Sequence, residues 1–366
     1  MSFFSKKPQS YLGVDIGAGG IKVVEFRDDK HRARLSTYGF AEVVTSLSAS
    51  APEAHPSGAG NLGTDLEAVA GTLREVCARA KVESNRVVTS LPIAAVFSSI
   101  VSLPHMPKKE LGSAVTWEAK KLVPLPIEDM IIDWKLLSPE GELESKEATA
   151  KPVRVLLTGA PKNLVQQYIT VFKSAKLELI SLETEAFALI RSLVGDDPSV
   201  VCILDIGAAR TSMVIVDAGT PVFSRSIDVG GQDVTRAIGA AMGTDEAQAE
   251  QLKLDMAVMP TNPAAAGLTS MLASAFATVI QEVRYGMNLY LSQEEHRGRV
   301  VEKVILAGGT AMLPTLTDFL SKELNLRVFV GDPWARVIYP IDLRPALDAV
   351  GPQFAVAIGL AMREMA

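Results

Sequence analysis

Apolar positions open the chain in the rhythm of strands. In "LGVDIGAGGIKVVEF" (Leu12–Phe26) two apolar runs flank a glycine-rich turn, an aspartate stands near the end of the first run, and a lysine follows it seven positions later. The pattern predicts a β-hairpin, with a third strand in the run near Tyr38–Val44. The spacing then changes: Leu66, Val69, Leu73, Val76 and Cys77 share one face of a helix predicted over Asp65–Ala80, with Thr64 or Asp65 as its cap. Between them "TSLSASAPEAHPSGAGNLGT" (Thr45–Thr64) holds almost only small residues and breakers, which predicts a mobile surface loop.

From Arg86 the segments are short and β-rich. "RVVTSLP" and "AVFSSIVSLP" read as strands, and Pro107 opens a helix with an apolar stripe through Leu111, Val115 and Leu122. "VPLPIEDMIIDWKLL" and "KPVRVLLTGA" give two more strands, and the polar "SPEGELESKEATAK" between them reads as a hairpin with a long solvated tip. A helix over Lys162–Ala175 turns Leu164, Tyr168, Ile169 and Phe172 inward. Together these elements predict a compact α+β unit over about 87–175, inserted into a first lobe that spans 1–195.

The second half repeats the opening. "VVCILDIGAARTSMVIVDAGTPVFSRSI" (Val200–Ile227) gives a strand ending in Asp205, a glycine-containing turn, a second strand, a tight turn and a third strand. Behind the glycines of "DVGGQDVTRAI" a mostly helical region is expected over about 232–298, its last helix marked by Leu272, Phe276, Val279, Ile280, Val283, Met287 and Tyr290. A strand, "EKVILAGG", and a helix starting at "TAMLPTLTDFLSKEL" complete a second lobe over 196–350, and an apolar helix over 351–366 is expected to return to the first lobe.

Composition narrows the possibilities. With 48% hydrophobic residues in 366, the chain can bury substantial cores. A formal net charge of −6 offers no basic excess, so no nucleic-acid partner is expected. Cys77 and Cys202 are far apart in apolar surroundings, which excludes a disulfide framework and suits a reducing compartment. The four histidines are scattered without metal-ligand spacing. No apolar run reaches the ~20 residues of a membrane span, and "MSFFSKKPQS" lacks the apolar stretch of a signal peptide, so a soluble, cytoplasmic chain is expected.

A lone glycine-rich turn is usually a plain turn, and a Glu and a Lys three apart are usually a solvated ion pair. Here the pieces come in order. Two D-x-G hairpins followed by "ILAGGTAML" resemble the three parts of the nucleotide site in the actin-like ATPase superfamily. The resemblance implies an α/β fold with two RNase H-like lobes around a nucleotide cleft, ATP as ligand and Mg²⁺ as its ion. Turn N–H groups of Gly17, Ala18 and Gly19, and of Gly207 and Ala208 with Thr211 beside them, would cradle phosphates. Asp15 and Asp205 would hold Mg²⁺ through its water shell, and Lys22 would reach the phosphates. Gly308 and Gly309 would lie against the adenosine, with Thr310 beginning a helix, and Glu250 and Lys253 of "AEQLK" match the pair that contacts ribose and adenine. Glu183, in "ISLETEAFALIR", matches the acidic residue that positions the attacking water.

Within that superfamily the inserted unit resembles the PilM family of type IV pilus assembly. The resemblance rests on Leu103, Pro104, Met106, Glu110, Leu111, Pro124, Pro126, Asp133 and Trp134 in the stretch Ser90–Leu137. It implies a cytoplasmic ATP-binding scaffold of the inner-membrane platform. The N-terminal cytoplasmic tail of a PilN-like protein would lie in a groove between the first lobe and the insert, joined by other platform proteins. Attachment to the membrane would be indirect, and a homo-oligomer is compatible with the fold. Ala18, Ala208, Ala209 and Arg210 depart from active relatives: alanine keeps the N–H but loses positive-φ freedom, so slow or absent hydrolysis is expected. Arg210 either neutralises phosphate or is a solvated side chain. An FtsA-like membrane-associated filament protein is the alternative, against which the ending "AIGLAMREMA" counts because it lacks a basic amphipathic helix. A small-molecule kinase or phosphatase would need a substrate base in the cleft, and none stands out.

Overall fold

The computed structural model describes residues 10–41, 65–123, 125–137, 152–258, 267–293 and 298–365. The expected loop Thr45–Thr64, the hairpin tip Ser138–Lys151, Pro124 and the N-terminal nine residues lie outside the described residues.

Two five-stranded sheets share one plan. The first contains β1 (Ser10–Gly17), β2 (Gly20–Asp28), β3 (Ala33–Ala41), β4 (Arg86–Leu91) and β8 (Glu178–Thr184), in the order β3-β2-β1-β4-β8. The second contains β9 (Val201–Ile206), β10 (Thr211–Asp217), β11 (Thr220–Ile227), β12 (Lys303–Ala307) and β13 (Arg327–Val330), in the order β11-β10-β9-β12-β13. In each sheet the first three strands are antiparallel and the last two run parallel to the first. The repeat legible in the two hairpins is thus a repeat of whole sheets. In the tight turn after Asp217, Ala218 (φ 48°) and Gly219 (φ 72°) are both left-handed, as a two-residue hairpin requires.

Burial follows the predicted faces at most positions, but Ile169 (43%) and Leu122 (41%), both expected on an inward face, are exposed, Leu122 as the last residue of its helix. The helix Leu66–Arg79 is capped by Asp65, whose carboxylate accepts the Ala68 N–H at 2.9 Å. It buries Val69, Leu73 and Val76 in one core with Leu12, Val14 and Ile16 of β1 and with Leu164, Tyr168 and Phe172 of the helix Lys162–Ser174. The opposite face of β1 and β2 is covered by the helix Arg344–Ala361, which starts well before the expected position 351. Its backbone comes so close that a Cβ on Gly13 would lie 2.1 Å from the Ala357 carbonyl oxygen. In the second lobe the helices Gly231–Met242, Glu246–Val258 and Leu268–Ser292 follow the hairpin, and the last buries Phe276, Val279 and Val283 against the sheet residues Met213 and Ile215.

The insert is smaller than expected. Its sheet holds β5 (Phe97–Leu103), β6 (Met130–Leu136) and β7 (Val153–Pro161) in the antiparallel order β5-β7-β6, under the helix Lys108–Leu122. Leu111, Val115 and Ala119 of that helix share a separate core with Val101, Val155 and Leu157. The bounds 87 and 175 took in two elements of the first lobe: β4 pairs with β1 and β8, and the helix Lys162–Ser174 packs in the lobe's own core. β5 also runs beside β11, so the insert touches the second lobe.

Candidate nucleotide cleft

The first hairpin holds its two charged residues by register. Asp15 pairs with Lys22 across β1 and β2, and Gly17 pairs with Gly20, leaving Ala18 and Gly19 as the turn. The pairing brings Lys22 Nζ to 3.4 Å from Asp15 Oδ2, with both side chains mostly buried. Gly20 is the residue of this turn with positive φ (128°); Ala18 is not left-handed, nor are Ala208 and Ala209. The expected loss of positive-φ freedom therefore costs nothing at these alanines, and their N–H groups remain.

The second hairpin faces the first. In its register Asp205 pairs with Ser212, and the Gly207 N–H closes the turn on the Arg210 carbonyl at 2.9 Å. A Cβ on Gly19 would stand 3.4 Å from that of Ala208. Behind this turn the helix Gly231–Met242 begins, and the N–H groups of Gly231 and Gln232 donate to the carbonyls of Gly207 and Ala208, both at 2.9 Å. One expectation changes here, and the open alternative for Arg210 falls to the solvated side chain. Thr211 is fully buried and donates its hydroxyl to the Val229 carbonyl at 2.7 Å, which ties β10 to the chain before the helix and takes Thr211 out of the phosphate set. Arg210 pairs with the exposed Asp228 at 3.1 Å, a surface ion pair of small energetic weight.

The third element closes on the same place. Gly308 has φ 84°, and a Cβ there would lie 2.2 Å from the Ile206 carbonyl oxygen and 2.8 Å from Asp205 Oδ1, so only glycine brings this backbone against Asp205. Thr310 begins no α-helix: it is buried in the short 3-10 turn Gly309–Met312, and the helix starts at Leu316. A Cβ on Gly231 would lie 2.6 Å from Thr310 Oγ1 and 3.5 Å from Lys253 Nζ. Lys253 in turn meets Glu250 at 2.6 Å. Third element, helix start and the Glu250–Lys253 pair are one cluster.

Glu183 does not join it. Its carboxylate is bound to the Arg191 guanidinium and lies 3.3 Å from Arg363 Nε, and Arg191 also donates to the Gly359 carbonyl at 2.9 Å. The carboxylate nearer the aspartates is Glu185, which the sequence reading passed over. Its Oε2 accepts the Ile93 N–H at 3.1 Å from the first lobe and the Ser212 hydroxyl at 3.4 Å from the second. Burial pushes the Glu185 carboxyl up to about 8, with Asp15 and then Asp205 adding to the shift. Burial likewise pushes Asp205 up to about 7; Asp15 raises it further and Lys22 opposes the rise. Three carboxylates thus crowd one cleft in which Lys22 is paired with Asp15.

That donor set fits Mg²⁺. Among the described residues no three such groups stand close enough to ligate a metal directly, whereas aspartates from two lobes suit an ion that keeps its water shell. Asp15 and Asp205 would hold it, and its chemistry would be to neutralise phosphate charge beside the two turns.

Comparison with known proteins agrees with this geometry. The family model for type IV pilus assembly protein PilM matches residues 13–365. A solved structure of a PilM-PilN type IV pilus biogenesis complex is 25% identical, covers 98% of this chain and 100% of that chain, and superposes with a TM-score of 0.80. MreB5 of Spiroplasma citri bound to ADP is 14% identical with a TM-score of 0.54, over 96% of this chain and 94% of its own. The cell division protein FtsA of Pseudomonas aeruginosa is 23% identical over 274 residues, which are 67% of this chain and 63% of FtsA. The chain thus spans less than two thirds of the curated relative's length. The paired sheets, the facing hairpins and the family match over residues 13–365 agree: the chain belongs to the PilM family of type IV pilus assembly proteins, on the actin-like ATPase fold.

Proposed function

We propose that this protein binds Mg-ATP between its lobes and serves as a scaffold in the inner-membrane platform of a type IV pilus. The observation that carries the nucleotide reading is the approach of Gly19 to Ala208, with Asp15, Asp205 and Glu185 converging beside them. Phosphates would lie against the N–H groups of Gly17, Ala18, Gly19, Gly207 and Ala208, and the sugar and base toward Gly308, Gly309 and Glu250. Glu185 replaces Glu183 as the candidate to orient a water, because it reaches both lobes. Hydrolysis stays slow, because a base acts in its ionised form and burial pushes the Glu185 carboxyl up to about 8, which leaves it mostly protonated near neutral pH.

The partner reading follows the insert. Its sheet face opposite the helix Lys108–Leu122 exposes Ile131 (45%), and Lys135 Nζ stands 6.0 Å from the Phe187 ring centroid of the first lobe. This face and the lobe would form the walls of a groove for an extended apolar peptide, the N-terminal cytoplasmic tail of a PilN-like membrane protein. So short a segment buries less than a standard interface and gives affinity on the order of micromolar. Calorimetry with that peptide tests the proposal: binding that weakens in Ile131→Asp supports it, and no binding to the intact protein at roughly 100 μM, well above the expected affinity, refutes it. No helix among the described residues is long and apolar enough to cross a membrane, and the partner would supply the anchor.

A further inference from the structure

Seven described residues other than glycine have a left-handed backbone, and four of them are basic side chains of the first lobe: Lys30 (φ 56°), His31 (φ 62°), Lys81 (φ 54°) and Lys176 (φ 60°). Lys30 and His31 form the two-residue turn between β2 and β3, closed by Asp29 and Arg32, whose backbones exchange hydrogen bonds at 2.9 and 3.1 Å. Asn-Gly is the usual occupant of such a turn. Lys81 and Lys176 end the helices Leu66–Arg79 and Lys162–Ser174 with the same cap: the Lys81 and Val82 N–H groups donate to the Ala78 and Cys77 carbonyls, and those of Lys176 and Leu177 to Lys173 and Phe172. Glycine is the usual occupant there. The helix dipole does not account for these lysines, because Arg79 and Lys173 already stand in the last turns. Each left-handed side chain costs stability, so four basic ones in one lobe point to a use for their charge.

Topology gathers them at one end. β1, β4 and β8 run parallel, so all three start at the end of the sheet opposite Gly17 and its turn, and the β2–β3 turn lies at that same end. The turns are tied together there. The Ser84 hydroxyl donates to the Ser10 carbonyl at 3.0 Å, Arg27 pairs with Glu83 at 2.9 Å, and the Glu178 N–H donates to the Asn85 carbonyl at 2.7 Å. Lys30, His31, Arg32, Lys81 and Lys176 are all exposed. With Asp29 matched by Arg34 and Glu83 by Arg27, the turns keep an excess of positive charge: Lys30, Arg32, Lys81 and Lys176 against Asp28 and Glu178. None of these turns exposes a large apolar side chain.

We propose that this end of the first lobe rests on an anionic lipid surface. A specific protein partner needs a centre of apolar and aromatic contacts from which charge is depleted, and these turns have none. Lysines spread over separate turns suit a leaflet of acidic headgroups, where each one near the surface adds roughly fivefold to binding and salt screens the attraction. The chain as a whole carries a net charge of −6, so the attraction is local to this end. The proposal does not rest on the nucleotide cleft or the peptide groove, and this contact would add to a partner's anchor by holding the lobe against the membrane.

The test is flotation of the full chain with vesicles of phosphatidylcholine alone and with one third phosphatidylglycerol, at about 0.05 M and about 0.5 M salt. Wild type is expected on the anionic vesicles at low salt, and in solution at high salt or with phosphatidylcholine alone. Replacing all four residues, Lys30→Asn, His31→Gly, Lys81→Gly and Lys176→Gly, is expected to weaken binding by about tenfold or more. The same variant should melt no lower than wild type, because these turns favour the residues it introduces. A charge-keeping pair, Lys81→Arg with Lys176→Arg, should float like wild type. Three results overturn the proposal: wild type that ignores anionic vesicles at low salt, a fourfold variant that floats like wild type, or a charge-keeping pair that loses binding as the fourfold variant does. Capture of wild type by immobilised polyglutamate but not by anionic vesicles overturns it too, in favour of an acidic protein.

Discussion

Gly19 and Ala208 meet across the cleft, each at the tip of a hairpin from a different sheet, at a distance of 3.4 Å for the Cβ that Gly19 lacks. That spacing is ordinary contact for one methyl, and a larger side chain built in that direction crowds Ala208. Gly19→Ala is expected to keep nucleotide affinity within about twofold, whereas Gly19→Leu wedges the hairpins apart and lowers it by about tenfold or more, since a bulky side chain must displace one of them. Equilibrium titration with a fluorescent ATP analogue separates the two; equal affinity in both variants would mean that the hairpins do not enclose the phosphates.

Glu185 makes stability depend on pH. Its folded pKa, about 8, lies above the unfolded value of ~4.3, so the folded state holds the proton more tightly. This stabilisation is fully present below the unfolded pKa and is lost as pH rises through the folded one. Glu185→Gln removes the loss, and urea unfolding at pH 5, 7 and 8.5 should show the variant gaining on wild type at each step. Asp205 shifts in the same direction, so some slope remains in the variant.

Glu183 serves the fold instead of the cleft. Glu183→Gln leaves Arg191 and Arg363 beside a neutral amide and is expected to cost about 1–3 kcal/mol of stability with unchanged nucleotide affinity. Denaturation together with the same titration checks both halves. An affinity loss without a stability loss would return Glu183 to the site.

Gly308→Ala is expected to damage both. The residue needs φ 84°, and its new methyl would meet the Ile206 carbonyl oxygen at 2.2 Å. A cost of about 1–3 kcal/mol follows for the strained backbone alone. Thermal melting measures it; a wild-type melting curve would show that the third element approaches Asp205 less closely.

Much of this was legible in the chain, for local reasons. The hairpins at Asp15 and Asp205 announce themselves because glycines and a following apolar run fix turn and register within fifteen residues. Glu183 and Glu185 show the limit. In a continuing strand, residues two apart would share a face. Here β8 ends at Thr184 and a helix starts at Glu185, so the two carboxylates part and only Glu185 reaches the cleft. The insert's edges were hidden likewise: β4 and β5 read alike, and their sheets are chosen by distant partners, β1 and β8 for one and β7 for the other. Thr211, first residue of β10, turns inward to Val229, eighteen positions on, which no local pattern reveals.

The central claim is that Asp15 and Asp205, one from each lobe, jointly hold Mg-ATP. The most direct measurement is calorimetric titration of ATP into wild type, Asp15→Ala and Asp205→Ala, each with Mg²⁺ and with excess chelator. Wild type is predicted to bind more tightly with Mg²⁺, and each variant to lose about 1–3 kcal/mol of that metal-dependent part while keeping its chelator value. Mg-ATP affinity unchanged in both variants would contradict the account.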